Sequence, residues 1–308
     1  MVIAKPAGAP AIRASGWLLL ACGICAVAQA AGISAIDDRG ARVTLPSPAL
    51  RIVALAPSIT ELVFAAGAGD KLVGAARFSD YPAAAGAITQ IGDASRIDLE
   101  RVLSLKPDLV LAWKSGNHAA DFARLEQLGF AVFVAEPARL TDIPRLLRIL
   151  GKLGGSTDAA EQSAGQFERG IARLAAHYRA RGRVRVFYEI WHQPLMTVNG
   201  RHMISDVITL CGGSNVFSAA PILTPLVSLE SVIAAQPDVV LGGSSATTPR
   251  EFAAPWLRDA RYAGLGHLRA MYVAPDTIQR QTPRILQGAE AVCEHLEAVR
   301  SARTVGTR

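Results

Sequence analysis

One phrase occurs twice in this chain, and it limits what the chain can fold into. LERVLSLKPDLVL starts at Leu99 and LESVIAAQPDVVL at Leu229; they agree at seven of thirteen positions, at an offset of 130 residues (229 − 99). Each copy reads as a short amphipathic helix, a Pro-Asp turn and a strand apolar enough to be buried on both faces. The offset exceeds any solenoid period, so the repetition predicts two related lobes rather than a stack of repeats. A length of 308 residues suits two units of roughly 100–200 residues. Both copies keep a glutamate at the second position, Glu100 and Glu230, which the packing of an amphipathic helix does not require.

The surrounding segments speak the same idiom. IDDRGARVTL reads as a hairpin with Asp38-Arg39-Gly40 at its turn. RIVALAP is a short strand stopped at Pro57, and Ser58 with Glu61 three residues later reads as a capping box opening the helix SITELVFAAGAG. KLVGAAR, LVLAW and FAVFVA read as strands of the first half, with LERVLSLK and DFARLEQLG as helices between them. In the second half RVRVFYEIW, VVLGG and MYVAP read as strands, and ISDVITLCGG and PRILQGAEAVCEHLEAV as helices. Such alternation with short connections predicts parallel sheets covered on both faces.

Between the halves, Thr157 to Arg181 contains no proline. Its apolar residues Ala160, Ala164, Phe167, Ile171, Leu174 and Tyr178 recur in steps of four and three, one face of a long helix. The expected organisation is an export signal over 1–30, a first α/β lobe over 31–155, a linking helix over 156–182, a second lobe over 183–302 and a tail over 303–308.

The signal reading rests on Lys5 and Arg13 preceding the apolar run GWLLLACGICAVAQA, which ends in the small-x-small pattern Ala28-Gln29-Ala30. Its apolar core is short for a bilayer span. LLAC at Leu19–Cys22 is a weak lipoprotein box, so the expectation is a cleaved leader and a soluble exported protein. With Cys22 and Cys25 inside the leader, Cys211 and Cys293 remain; in an exported protein they either pair or stay as two buried thiols. The formal charge of +6 is scattered, with no Lys/Arg block or aromatic-interleaved basic strip, which argues against a nucleic-acid partner.

Catalytic patterns are missing from the sequence. There is no Gly-x-Ser-x-Gly elbow, no P-loop and no dinucleotide fingerprint, and the six histidines stand apart, without metal-ligand spacing. An exported chelate-processing enzyme is therefore the weaker reading, and no catalytic or metal-ligating residue is expected. Large side chains instead follow the strands, where α/β folds present ligands. Phe78 and Tyr81 lie in ARFSDYP, Trp113 ends LVLAW, and Trp191-His192 follow VFYEI. Together they suit a bulky, flat, apolar ligand.

These residues resemble the periplasmic binding proteins that serve importers of metal chelates. The motifs RIVALAPSITELVFAAGAG, FSDYP, LERVLSLKPDLVLAW, CGG and TPRI carry the likeness over nearly the whole mature chain, most closely to the cobalamin-binding members. The resemblance implies an α/β fold of two Rossmann-like lobes with parallel-rich sheets, joined by a single long backbone helix. It implies a periplasmic monomer that captures cobalamin or a related corrinoid, with no cofactor, and delivers it to an ABC permease dimer with its ATPase subunits. It places Ala56, Pro57, Ser58, Phe78, Trp113, Met196, Asp276 and Arg280 at the ligand, beside Tyr81, Trp191 and His192. It assigns Glu100 and Glu230 to permease docking and joins Cys211 to Cys293. The chain departs from those relatives at Ala94 and Thr224, where they carry tryptophans, and at Thr277-Ile278, where they carry an aromatic pair. Haem or a ferric siderophore is the alternative cargo: Tyr81 or a histidine would serve haem, and Arg280 with Arg284 a siderophore.

Overall fold

The computed structural model describes residues 1–4, 8, 32–243, 246–258 and 268–306. The expected export signal, apart from residues 1–4 and 8, lies outside the described residues. From Gly32 onward the chain forms one compact unit.

In its first half, the hairpin β1 (Ile33–Ile36) and β2 (Arg42–Leu45) precedes β3 (Ile52–Ala54), α1 (Pro57–Ala65) and β4 (Leu72–Ala75). A small ribbon, β5 (Gly92–Asp93) with β6 (Arg96–Ile97), leads to α2 (Leu99–Ser104), β7 (Leu109–Trp113), α3 (Ala119–Gln127) and β8 (Val132–Ala135). Two helices follow, α4 (Asp142–Gly154) and α5 (Thr157–Tyr178). The second half runs through β9 (Val184–Glu189), α6 (Met203–Leu210), β10 (Gly213–Asn215), α7 (Leu229–Ala234) and β11 (Val239–Gly242). It ends with α8 (Pro249–Arg258), β12 (Arg269–Tyr272), α9 (Pro275–Ile278) and α10 (Ile285–Gly306).

Each lobe holds a parallel four-stranded sheet, in the order β4-β3-β7-β8 in the first and β10-β9-β11-β12 in the second. In chain order within each lobe both read second, first, third, fourth, so the lobes share one topology. The repeated phrase is built the same way in both. Asp108 Oδ2 accepts from the backbone N–H groups of Leu50 (2.9 Å) and Arg51 (3.0 Å), and Asp238 Oδ2 from that of Arg185 (2.5 Å). Arg51 in turn donates to the carbonyls of Leu105 and Lys106 at the end of α2, and Arg185 to those of Ala235 and Gln236 at the end of α7. Lys106 and Gln236, at the same place in the two copies, both take positive φ, 45° and 44°. Pro-Asp therefore clamps the start of the neighbouring strand while that strand's arginine satisfies carbonyls that a helix end leaves unpaired.

The linking helix α5 has 22 residues, or ~33 Å at ~1.5 Å per residue. It buries Ala160, Ala164, Phe167, Gly170 and Leu174, with Ile171 and Tyr178 packed at the edge of the same core. Over its first part it is accompanied by α4, 13 residues long, which turns into it at Gly155, a left-handed residue with φ 72°. The connection is thus a two-helix layer, stiffer than a lone rod. One continuous core runs from Phe133 and Leu146 through Phe167 to Tyr188 and Leu296. Cys211, just after α6, is bonded to Cys293 in α10, fixing the closing helix to the end of α6.

Two local expectations change. The first helix starts at Pro57 with Ala56 as its N-cap and no side-chain cap bond, so Ser58 and Glu61 do not form a capping box. The last strand lies at Arg269–Tyr272, earlier than MYVAP suggested.

Candidate functional site between the lobes

The carboxyl ends of the two sheets converge on a cavity of about 400 Å³. The first lobe contributes Trp113, at the end of β7, and Glu136, just after β8; the second contributes Ile190, His202, Thr224 and Gln279. Strand ends near the point where the order reverses are where open α/β sheets bind ligands. Asn117, buried, holds this floor: its Oδ1 accepts from Trp113 N–H (2.7 Å), and its Nδ2 donates to Leu55 O (2.9 Å) and Ala94 O (2.8 Å). A Cβ on Gly116 would collide with the Trp113 ring, so glycine is needed for the indole to lie flat there. Glu136 is aimed by the Ser115 backbone N–H and hydroxyl, both at 2.8 Å.

The wall on the second lobe is a ribbon of loop. Met196 N–H donates to Trp191 O (2.9 Å), Ile190 N–H to Met196 O (3.1 Å), Thr197 N–H to Pro225 O (3.1 Å) and Asn199 N–H to Leu223 O (2.9 Å). Trp191, Ile222, Leu223 and Leu226 remain exposed on it. The Trp191 indole donates to Gln193 O (2.9 Å). His192 is tied back by Glu189, whose carboxylate also accepts from Trp256 Nε1 at 2.6 Å. Burial pushes the Glu189 carboxyl above its ordinary range, against the pull of His192 and the indole.

A second set of predicted residues meets elsewhere, at a charged bridge between the lobes. Arg280 donates to Glu61 Oε1 (2.7 Å) and Asp80 Oδ1 (2.6 Å) and pairs with Asp276 at 3.1 Å. Arg284 donates to both oxygens of Glu61, at 3.0 and 2.6 Å, and stacks its guanidinium 4.0 Å over the Tyr81 ring. Glu61 is 3 % exposed, so this is a desolvated carboxylate shared by two arginines from the other lobe. Burial works against the Arg280 charge, but the Asp80 and Glu61 carboxylates outweigh it and raise its pKa. Arg139 pairs with Asp206 at 2.5 Å as a further bridge between the lobes.

The predicted residues are thus divided. Trp113 borders the cavity; Trp191, His192 and Met196 lie on or beside the neighbouring ribbon without lining the cavity. Tyr81, Asp276 and Arg280 are engaged in the charged bridge. Ala56, fully buried, is the N-cap of α1, and Pro57 and Ser58 are that helix's first two residues. Phe78, at φ 67°, is 66 % exposed with Arg77 stacked 5.2 Å from its ring. Glu100 and Glu230 are exposed in the first turns of α2 and α7, behind the capping residues Asp98 and Ser228. The Glu230 carboxyl is held below its ordinary range by its own backbone N–H and by the Ser228 hydroxyl. Sequence reasoning missed Glu61, Asp80, Asn117, Glu136, Glu189 and His202 as site residues. For Glu61 a signal existed: a charge on the apolar face of SITELVFAA needs a buried cation.

A matched pair of parallel α/β lobes, bound through a long helix and enclosing a cavity between strand ends, defines a bilobed solute-binding protein. The periplasmic binding protein family matches residues 52–255. The vitamin B12-binding protein of Vibrio campbellii is 35 % identical over 256 residues, covering 83 % of this chain and 92 % of that protein. That of Yersinia pestis is 34 % identical over 257 residues, covering 83 % and 90 %. Among solved structures, the periplasmic vitamin B12-binding protein BtuF of Vibrio cholerae superposes with a TM-score of 0.72 at 32 % identity, covering 83 % of this chain and 99 % of that one. The haem-binding protein RhuT of Roseiflexus sp. RS-1, in apo form, gives 0.68 at 26 % identity, covering 82 % and 99 %. The chain belongs to the periplasmic binding protein family.

Proposed function

We propose that this protein captures cobalamin or a related corrinoid between its lobes in the periplasm and hands it to an ABC permease. The observation that carries the reading is the interlobe cavity at the strand carboxyl ends, bordered by Trp113, together with the large aromatics Phe78, Tyr81 and Trp191 left exposed on loops that follow strands. Aromatic surface left in water on loops of this kind marks a site for a flat apolar partner. The vitamin B12-binding relatives narrow that partner to a corrinoid. Capture needs no chemistry: the ligand is buried, and the paired helices α4 and α5 limit how far the lobes open.

Glu100 and Glu230 are the docking contacts. They stand at equivalent places on two lobes of one topology, so they present paired acids to a permease with two-fold symmetry. Rim charges of this kind set orientation and association rate more than affinity. The export signal over residues 1–30 delivers the protein to that compartment. Titration calorimetry with cyanocobalamin tests the cargo. Saturable heat at a 1:1 ratio supports it, and no heat at tens of micromolar protein refutes it. Hemin, titrated in parallel, tests the haem alternative that the RhuT likeness raises.

A further inference from the structure

We propose that His202 is a specificity-determining residue of the cleft, fixed as the Nε2–H tautomer to donate a hydrogen bond to a carbonyl oxygen on the cargo's rim, and not to ligate its metal. The identity of that acceptor rests on the corrinoid reading; the tautomer does not.

His202 is the N-cap of α6, and its Nδ1 accepts from the backbone N–H of Ile204 at 3.1 Å. Serine, threonine, aspartate or asparagine usually fills such a position, because a side-chain acceptor there satisfies a helix N–H that has no other partner. Histidine can do this only with a lone pair on Nδ1. A neutral imidazole carries one ring proton, so that proton sits on Nε2. The ring stays neutral because burial pushes its pKa down to about 4.

The turn around it is braced. His202 N–H donates to Asn199 O (3.2 Å), the Ser205 hydroxyl to the same carbonyl (2.7 Å), and Asn215 Nδ2 to the Ser205 hydroxyl (2.8 Å). The outer edge of the ring is open. Among the described residues, the one side-chain polar atom both sealed and unpartnered is Thr282 Oγ1. The Nε2 atom has no protein partner, so it is accessible, and the residue borders the interlobe cavity beside Trp113, Ile190, Thr224 and Gln279. A nitrogen that carries a proton has no lone pair to give a metal. It suits carbonyl oxygens such as those of the amide side chains around a corrin ring, and it offers nothing axial to a haem iron.

Three measurements on the full chain test this. In [15N]histidine-labelled protein without ligand, NMR at neutral pH reads which His202 nitrogen is protonated, the signal being assigned by its absence in His202→Asn. Protonated Nε2 is expected, and a protonated Nδ1 overturns the proposal. Cyanocobalamin, whose cobalt already has both axial ligands, is then titrated into the wild type and His202→Asn. Asparagine keeps an N-cap acceptor but is too short to reach the cavity. About five- to tenfold weaker binding is expected from loss of one hydrogen bond, with an unchanged urea midpoint at pH 7.5. Equal affinity overturns the donor role. Hemin added to the two proteins should give the same spectrum, and an imidazole-ligated spectrum present in the wild type and lost in His202→Asn overturns the exclusion of metal ligation. A wild type that takes no cyanocobalamin refutes the corrinoid reading, while the NMR and hemin results still decide the tautomer.

Discussion

A histidine held neutral inside the fold makes stability depend on pH, and His202 gives that dependence a size. Burial alone lowers its pKa, from 6.5 to about 4. The unfolded chain therefore binds a proton more readily than the folded one, and stability must fall as pH drops. Above pH 6.5 both states are neutral and the group costs nothing. Between 6.5 and 4 the unfolded state is increasingly favoured, and below 4 the full cost of about 3 kcal/mol is reached. The same relation gives about 1 kcal/mol at pH 5.5 and about 2–3 kcal/mol at pH 4.5. Other groups titrate in this range. One of them is Asp206, one turn along α6, whose carboxyl is raised by burial and contributes with the opposite sign. The comparison is therefore between the wild type and His202→Asn, which keeps the cap and removes the titration. Urea unfolding of both at pH 7.5, 5.5 and 4.5 should show the variant gaining on the wild type by those amounts as the pH falls. A difference constant to within about 0.5 kcal/mol across that range would refute the assigned neutral, capping imidazole.

Glu61→Ala removes the carboxylate that Arg280 and Arg284 share. Breaking a buried pair costs about 3–5 kcal/mol; Arg280 keeps Asp80 and Asp276, so about 2–3 kcal/mol is expected by urea unfolding, and less than about 1 kcal/mol would show that the bridge does not hold the lobes. Replacing both Cys211 and Cys293 with alanine opens a constraint spanning 82 residues. It should lower stability by about 2–4 kcal/mol, and an unchanged denaturation midpoint would contradict that. Glu100→Ala with Glu230→Ala should abolish stimulation of the transporter's ATPase and leave cyanocobalamin affinity intact. A loss of ligand affinity in that double variant would place the glutamates in the fold or the cleft instead of at the docking face.

Much of the fold was legible because it is local. Period and punctuation located α5 and most of the strands, and the doubled phrase announced two lobes of equal topology. The site was less so, because its decisive contacts are long-range. Ser58 and Glu61 fit a capping box by spacing alone; what turns Glu61 away from the helix end is Arg280, 219 residues later. His202 looked like one isolated histidine among six, and only the start of α6 gives it a role. The structure also divides the doubled phrase into two parts. Its Pro-Asp has a complete account within each lobe, since Asp108 and Asp238 each hold the start of the adjoining strand and Arg51 and Arg185 close the helix ends. The glutamates take no part in that clamp. Glu100 and Glu230 are exposed, behind the caps Asp98 and Ser228, and Glu230 itself accepts from the Ser228 hydroxyl. The clamp thus accounts for the Pro-Asp of the phrase and does not use its glutamates, which is what the docking role proposed for them requires and what the double variant tests.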